Sequence, residues 1–232
     1  MTPGHANRPR WRGEAGFFEI WFVVVLDLVT ARAWWFRYTT LAPRQGAPRG
    51  TLWAAAFEEG RPPVFGKAFV STEEIAAHAG GLERGVCRGR VGAAASPIEW
   101  DLQFEPASCP AQRGPRWLHR LPTPTRVAHC NQETGFRGTI RVGDREHVVA
   151  DGRGAQKHLW GARRVEELFW IYAPVLRGGG AFEASSVRMR QGRGPAVAPV
   201  WMHDGIHERT WWGIPGLFRN RVEPREPGAL HV

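Results

Sequence analysis

The chain has 232 residues, 43% of them hydrophobic and 23% charged, with a net charge of +9 and a pI near 10.8. So large an apolar share excludes a disordered chain and suffices for one full core. The charge raises nucleic acid as a partner, but arginines are interspersed with acids, lysine occurs only at Lys67 and Lys157, and no basic run occupies one face. The reading is therefore no nucleic acid, only an arginine-rich surface.

Residues 1–13 are rich in Pro, Gly and Arg, lack periodicity, and are expected to form a flexible tail. The apolar run Phe17 to Val29 follows this basic leader, and Ala31-Arg32-Ala33 resembles a signal-peptidase site. Glu19 and Asp27 interrupt the run, which also falls short of the ~20 apolar residues of a membrane span, so it reads as a strand, with no membrane span. From Ala33 to Leu41, Trp34, Phe36 and Tyr38 alternate with Trp35, Arg37 and Thr39. From Thr51 to Phe57 the bulky Trp53 and Phe57 oppose Leu52, Ala54 and Ala56, so that one face lets something come close. A strand is expected at Val64 to Val70. Thr72 to Ala79 reads as the one helix, capped by Ser71 or Thr72, with Glu73 and Glu74 in its first turn and Gly80-Gly81 as its stop.

Strands follow at Val86 to Val91 and at Pro97 to Glu105, where Ile98, Trp100, Leu102 and Phe104 alternate with Glu99, Asp101, Gln103 and Glu105. Ala107 to Pro124 carries four prolines and reads as a long loop or lid. Further strands are expected at Arg126 to Cys130, Phe136 to Val142, Glu146 to Ala150, Leu168 to Val175, Ala181 to Arg190, Val197 to Met202 and Ile206 to Trp212, with turns at Gly143-Asp144, Gly178-Gly179-Gly180 and Asp204-Gly205. So many short strands with so little helix predict an all-β chain, an antiparallel barrel or sandwich. Cys87, Cys109 and Cys130 are odd in number and lack Cys-x-x-Cys spacing, which indicates neither a disulfide framework nor a zinc knuckle and fits a cytoplasmic protein.

The stretch from Gly138 to Arg163 reads as a hairpin followed by a Gly-punctuated polar segment, which delivers Gln156 and His158 onto an aromatic wall at Trp160. A few polar anchors on apolar walls suit a small-molecule pocket. The order Trp34-Trp35-Phe36-Arg37-Tyr38, Gly50-Thr51-Leu52-Trp53, Ile98-Glu99-Trp100-Asp101-Leu102 and Gln156-Lys157-His158-Leu159-Trp160-Gly161 resembles the lipocalin-like superfamily of carotenoid hydratases (hydroxyneurosporene synthase). Tocopherol cyclases and fungal Diels–Alderases are its relatives. The resemblance covers about Gly16 to Arg190 and implies a calycin-type antiparallel barrel over 14–190, followed by a second barrel. Residues 191–232 are too few for a whole one, so an incomplete second β-unit is expected, with a homodimer as one way of completing it.

A hydratase or cyclase of that kind protonates an alkene, holds the carbocation and quenches it, which takes a carboxylic acid kept neutral by burial and ring faces near the charge. Asp101 and Asp151 are the candidate acids, with Glu99 behind them and His158 as a donor. The bland alternatives are a solvated strand face for Asp101, a turn for Asp151 and a hydrogen-bonded barrel histidine for His158. Trp34, Arg37, Tyr38, Trp53, Trp100, Gln156, Trp160, Trp170 and Tyr172 are the candidate ligand-binding residues, and core packing is the competing role of the indoles. His203 and His207 stand four apart, but Asp204-Gly205 between them reads as a hairpin turn, so no metal is expected. Gly152-Arg153-Gly154 is not a dinucleotide fingerprint, and no Gly-x-Ser-x-Gly elbow is present. The expectation is a barrel without cofactor that binds a hydrophobic small molecule, such as a polyene, terpenoid or polyketide, and hydrates, cyclises or isomerises it. A carrier with the same pocket is the alternative, and a Trp-rich carbohydrate-binding sandwich a more distant one.

Overall fold

Strands with one apolar face can bury those faces together by curling into a barrel. The computed structural model of the chain describes residues 6–93, 96–107, 123–163, 167–176, 179–188, 197–211, 220, 223–224 and 230–231. Cys109 and most of the proline-rich loop expected at 107–124 lie outside the described residues. Strands β1 (Phe17–Asp27), β2 (Arg32–Ala42), β3 (Arg49–Glu58), β4 (Val64–Val70), β5 (Val86–Val91), β6 (Ile98–Phe104), β7 (Thr125–Val142) and β8 (Arg145–Gly161) form one antiparallel sheet in the order β4-β3-β2-β1-β8-β7-β6-β5. Its edge strands approach so closely that a methyl group on Gly66 would meet Val91 Cγ2 at 2.5 Å, and the sheet is a nearly closed barrel.

Helix α1 (Thr72–Glu83) links the two edges. The Ser71 side chain accepts from the Glu74 N–H, and Ile75, Ala79 and Leu82 are buried beneath the helix. The helix runs through Gly80 and Gly81, where a stop was expected. Glycine weakens a helix without breaking it, whereas Gly85 takes the left-handed backbone (φ +79°) that ends the turn.

Trp21, Val23 and Val25 of β1 stand beside Tyr38, Phe36 and Trp34 of β2, which stand beside Leu52, Ala54 and Ala56 of β3, all facing inward. Trp100 stacks on Phe36 at 4.5 Å and lies over Gly89, where any side chain would collide with its indole. The small face of β3 thus points inward because aromatic rings from its neighbours fill the space, and Trp53 points out. An enclosed hollow was expected through the barrel, but its middle is packed with side chains.

Strand β8 differs most from expectation. Asp151-Gly152 reads as a turn and Gly154 as part of a Gly-punctuated segment, yet they lie in the middle of one 17-residue strand paired with both β1 and β7. The reason is non-local: a Cβ on Gly154 would collide with the Val24 carbonyl oxygen, and one on Gly152 would meet Val25 Cγ1 at 2.8 Å. Strand β7 likewise runs unbroken through two expected strands, accommodated by register shifts between Ala128 and Gly138.

The chain divides into two units, Met1–Gln112 with Thr123–Arg163, and Arg113–Pro122 with Arg164–Val232. The barrel strands end at Gly161, short of the expected limit at 190. The second unit holds β9 (Glu167–Ala173), β10 (Ala181–Arg188), β11 (Val200–His203) and β12 (Glu208–Thr210) in a sheet of order β12-β11-β10-β9.

Candidate functional site

The inward positions of β1 and β8 near α1 bring Glu19, Trp21, Gln156, His158 and Trp160 together, since Trp21 pairs with His158 and Glu19 with Trp160 across the ladder. Glu19, His158 and Gln156 are all buried. His158 lies between two indoles, stacked on Trp21 at 4.5 Å and tilted against Trp160 at 4.6 Å. Its Nε2 is 2.7 Å from Glu19 Oε1, and its Nδ1 is 2.7 Å from the Ala6 carbonyl oxygen. A carbonyl can only accept, so Nδ1 carries a proton.

The segment expected as a flexible tail closes this end. The Asn7 and Gln156 carboxamides exchange two hydrogen bonds of 3.0 and 2.8 Å, and Asn131 donates to the same Gln156 oxygen at 2.9 Å. Trp21 Nε1 donates to the Asn7 carbonyl at 3.0 Å. The backbone N–H groups of Arg10 and Trp11 donate to the two Glu19 oxygens at 2.6 and 3.2 Å. Buried polar side chains here required partners, and residues 6–11 supply them.

At the opposite end, beside the β1–β2, β3–β4 and β7–β8 turns, lies a hollow of about 360 Å³. Trp34, Ala56, Val64 and Val142 line it, with Arg32, Glu58, Arg61, Arg145 and His147. Arg32 lies across from Glu58 in the β2–β3 ladder, and His147 across from Ile140 in β7–β8, so all three continue the inward rows. Glu58 Oε1 accepts from Arg32 Nη2 at 3.0 Å, and its Oε2 accepts from Arg145 Nη1 at 2.7 Å, with Arg61 Nε at 3.4 Å. The hydrogen bonds from Arg145 and then Arg32 hold the Glu58 carboxyl down at about 2. Burial, then the charges of Arg32 and Arg145, lower His147, which stands 6.0 Å from the Trp34 ring and is neutral at pH 7.

The structure distributes the expected site residues unevenly. Asp101 is half exposed on the outer face with Arg88 Nε at 2.6 Å, Glu99 pairs there with Arg90 at 3.1 Å, and Asp151 is exposed beside Arg153 at 3.3 Å. None of the three is the buried acid that protonation requires. Arg37 and Trp53 also face outward: Arg37 Nε donates to Thr39 Oγ1 at 3.0 Å, and Lys67 Nζ sits 4.5 Å over the Trp53 ring. Tyr38 and Trp100 are core residues. Trp100 Nε1 donates to the Tyr38 hydroxyl at 2.8 Å, which donates to the Arg88 carbonyl at 2.8 Å. Burial pushes the Tyr38 phenol well above its ordinary value and the Cys87 and Cys130 thiols to about 12. Trp34 is both core and wall of the open hollow. Trp170 and Tyr172 belong to the second unit, where their rings stack at 5.5 Å and Trp170 Nε1 donates to Glu183 at 2.9 Å. His203 and His207 flank a turn in which Asp204 Oδ1 accepts from the N–H groups of Ile206 and His207. Sequence reasoning missed Glu19, Asn7 and Asn131 at one end and Arg32, Glu58, Arg145 and His147 at the other. The inward phase of Glu19 with Trp21, Val23 and Val25 was the available signal.

An antiparallel eight-stranded barrel of this shape is a lipocalin-like fold. The crystal structure of a protein designated AttH from Nitrosomonas europaea superposes with a TM-score of 0.52 over 88% of this chain and 74% of that one, at 13% identity. In sequence the chain is similar to uncharacterized proteins from two strains of Mycobacterium tuberculosis, 27% identical over 217 residues. That alignment takes in 90% of this chain, which spans 65% of the length of the curated relatives it matches. No family model matches. Among the described residues no helix is long and apolar enough to cross a membrane.

Proposed function

We propose that this chain binds an apolar small molecule through the open end of its barrel. The observation that carries the reading is the hollow of about 360 Å³, walled by Trp34, Ala56, Val64 and Val142 and rimmed by a few polar groups. Glu58 is held ionised there and His147 neutral. A carboxylate without its proton cannot protonate an alkene, so a carrier role is the better fit for this end. Native mass spectrometry of protein purified from its own source tests it. The expected result is one copurified apolar molecule per chain, lost when Ala56→Trp fills the hollow. Identical spectra of folded wild type and variant would overturn it.

One observation favours the catalytic reading of hydration, cyclisation or isomerisation: the Glu19 carboxyl lies 2.7 Å from His158 Nε2, and that imidazole lies between the rings of Trp21 and Trp160. Rings of that kind stabilise a developing cation. In that reading Glu19 takes the role expected of Asp101 or Asp151, and residues 6–11 must leave for substrate to enter. Truncation of residues 1–11 tests it, since turnover of a polyene or terpenoid alkene should then appear and be abolished by Glu19→Gln; a folded truncated protein inactive towards such alkenes would count against it.

A further inference from the structure

The open hollow carries a chemical preference. Arg32, Glu58 and Arg145 are inward-facing strand residues at the last layer of the barrel, where an apolar side chain would have closed the core. Two guanidinium groups there converge on one carboxylate from opposite sides, one on each oxygen, and Arg61 adds a third cation at 3.4 Å. Around that carboxylate the lining cations therefore exceed the lining anion. Asp27, also at this end, accepts at its Oδ1 from the Val29 and Thr30 N–H groups in the adjoining turn.

Arg32 provides a second, independent observation. Its Nη2 donates to Glu58, while its Nε is buried and has no hydrogen-bond partner among the described residues. A buried guanidinium N–H left unmade costs free energy unless something accepts from it, and the flat Nε edge of arginine matches the two oxygens of a carboxylate. Glu58 itself demonstrates which group these arginines are spaced to receive. Below them the walls are apolar, and Trp34 presents an aromatic surface.

We propose that the open end takes an apolar molecule ending in a carboxylate, with Arg32 and Arg145 as its anion-binding groups and Glu58 as the internal carboxylate that holds them in position. The proposal rests on the reading of this end as an apolar-ligand pocket and adds the head group. Charge and geometry then divide the work: the chain of the ligand lies against Trp34, Ala56, Val64 and Val142, and its head meets the guanidinium groups of Arg32 and Arg145 that line the hollow. Glu58 competes with the ligand for the same donors, so it lowers affinity for the anion while keeping the guanidinium groups ordered.

Isothermal titration of the full chain at pH 7.5 with dodecanoate and, separately, with dodecanol tests this. The expected result is dodecanoate at least tenfold tighter than dodecanol, about 1.4 kcal/mol. The dodecanoate-to-dodecanol preference should collapse in Arg145→Gln, stand between the two in Arg145→Lys, which keeps the charge and loses the fork, and widen in Glu58→Gln, which removes the competitor. Equal affinities for the two probes in the wild-type chain would overturn the head-group proposal and leave the apolar pocket standing. Failure of the folded chain to bind either probe would overturn the pocket and the proposal together. The wild-type comparison needs no variant, so the outcome stands even if a substitution prevents folding.

Discussion

Replacing Glu19 with alanine should release residues 6–11 from the barrel while leaving the barrel folded. Ordering six residues costs about 6–12 kcal/mol at about 1–2 kcal/mol each. Against this stand four neutral hydrogen bonds, made by the Ala6 carbonyl, the Asn7 side chain twice and the Asn7 carbonyl, and two charge-assisted ones from the Arg10 and Trp11 N–H groups to Glu19. At about 0.5–1.5 kcal/mol for a neutral bond and about 1.5–3 for one to a charged group, they total about 5–12 kcal/mol. The opposing terms are of the same size, so the segment is held by a narrow margin. Glu19→Ala removes the two strongest bonds, about 3–6 kcal/mol, and takes the Nε2 partner of His158 as well. Trypsin digestion followed by mass spectrometry reads the result, because the cleavable bonds after Arg10 and Arg12 lie in or beside the segment. Rapid cleavage at these sites is expected in the variant under conditions where the wild type is protected and both barrels remain intact. Equal protection of the two proteins would refute the reasoning and show that the segment is held by something other than Glu19.

Three further outcomes follow from the geometry. Gly154→Ala should destabilise by about 3 kcal/mol, because a methyl group there meets the Val24 carbonyl, and thermal melting should fall by about 6–12 °C; an unchanged melt would remove the close-approach explanation of the β8 glycines. Tyr38→Phe leaves the buried Trp100 N–H and the Arg88 carbonyl without their partner and should cost about 1–3 kcal/mol, seen as a lower denaturation midpoint at constant slope. Glu58, whose folded value is depressed, stabilises the fold fully above the ordinary carboxylate range and loses that contribution as pH falls towards 2. Carboxyl NMR should therefore place its midpoint near 2, and Arg145→Gln should move it upward; no movement would disprove the assigned cause.

Local chemistry made much of the barrel legible. The alternation in Ile98 to Phe104 gives the buried and exposed faces of β6 directly, because each side chain there meets either the core or water along the whole strand. What the sequence concealed was non-local. Gly152 looks like a turn residue and Gly154 like part of a Gly-punctuated segment until Val25 and the Val24 carbonyl are placed against them. Glu19 looked like an interruption of an apolar run, because its partner His158 lies 139 residues away. Asp101 sits beside tryptophan in sequence, yet neighbours in a strand face opposite sides, so the adjacency to Trp100 carried no information about burial. The arginines at the open end gave no signal at all, since only closure of the barrel brings Arg145 to Glu58.

NMR mapping with dodecanol tests the central claim most directly, namely that the barrel core is filled and its ligand enters at the end away from α1. The account predicts shifts at the Trp34 indole and at the Val64 and Val142 methyls, with those of Trp21 and Trp160 unmoved. Shifts centred on Trp21, His158 and Trp160, or spread through the middle of the barrel at Phe36 and Trp100, would contradict it.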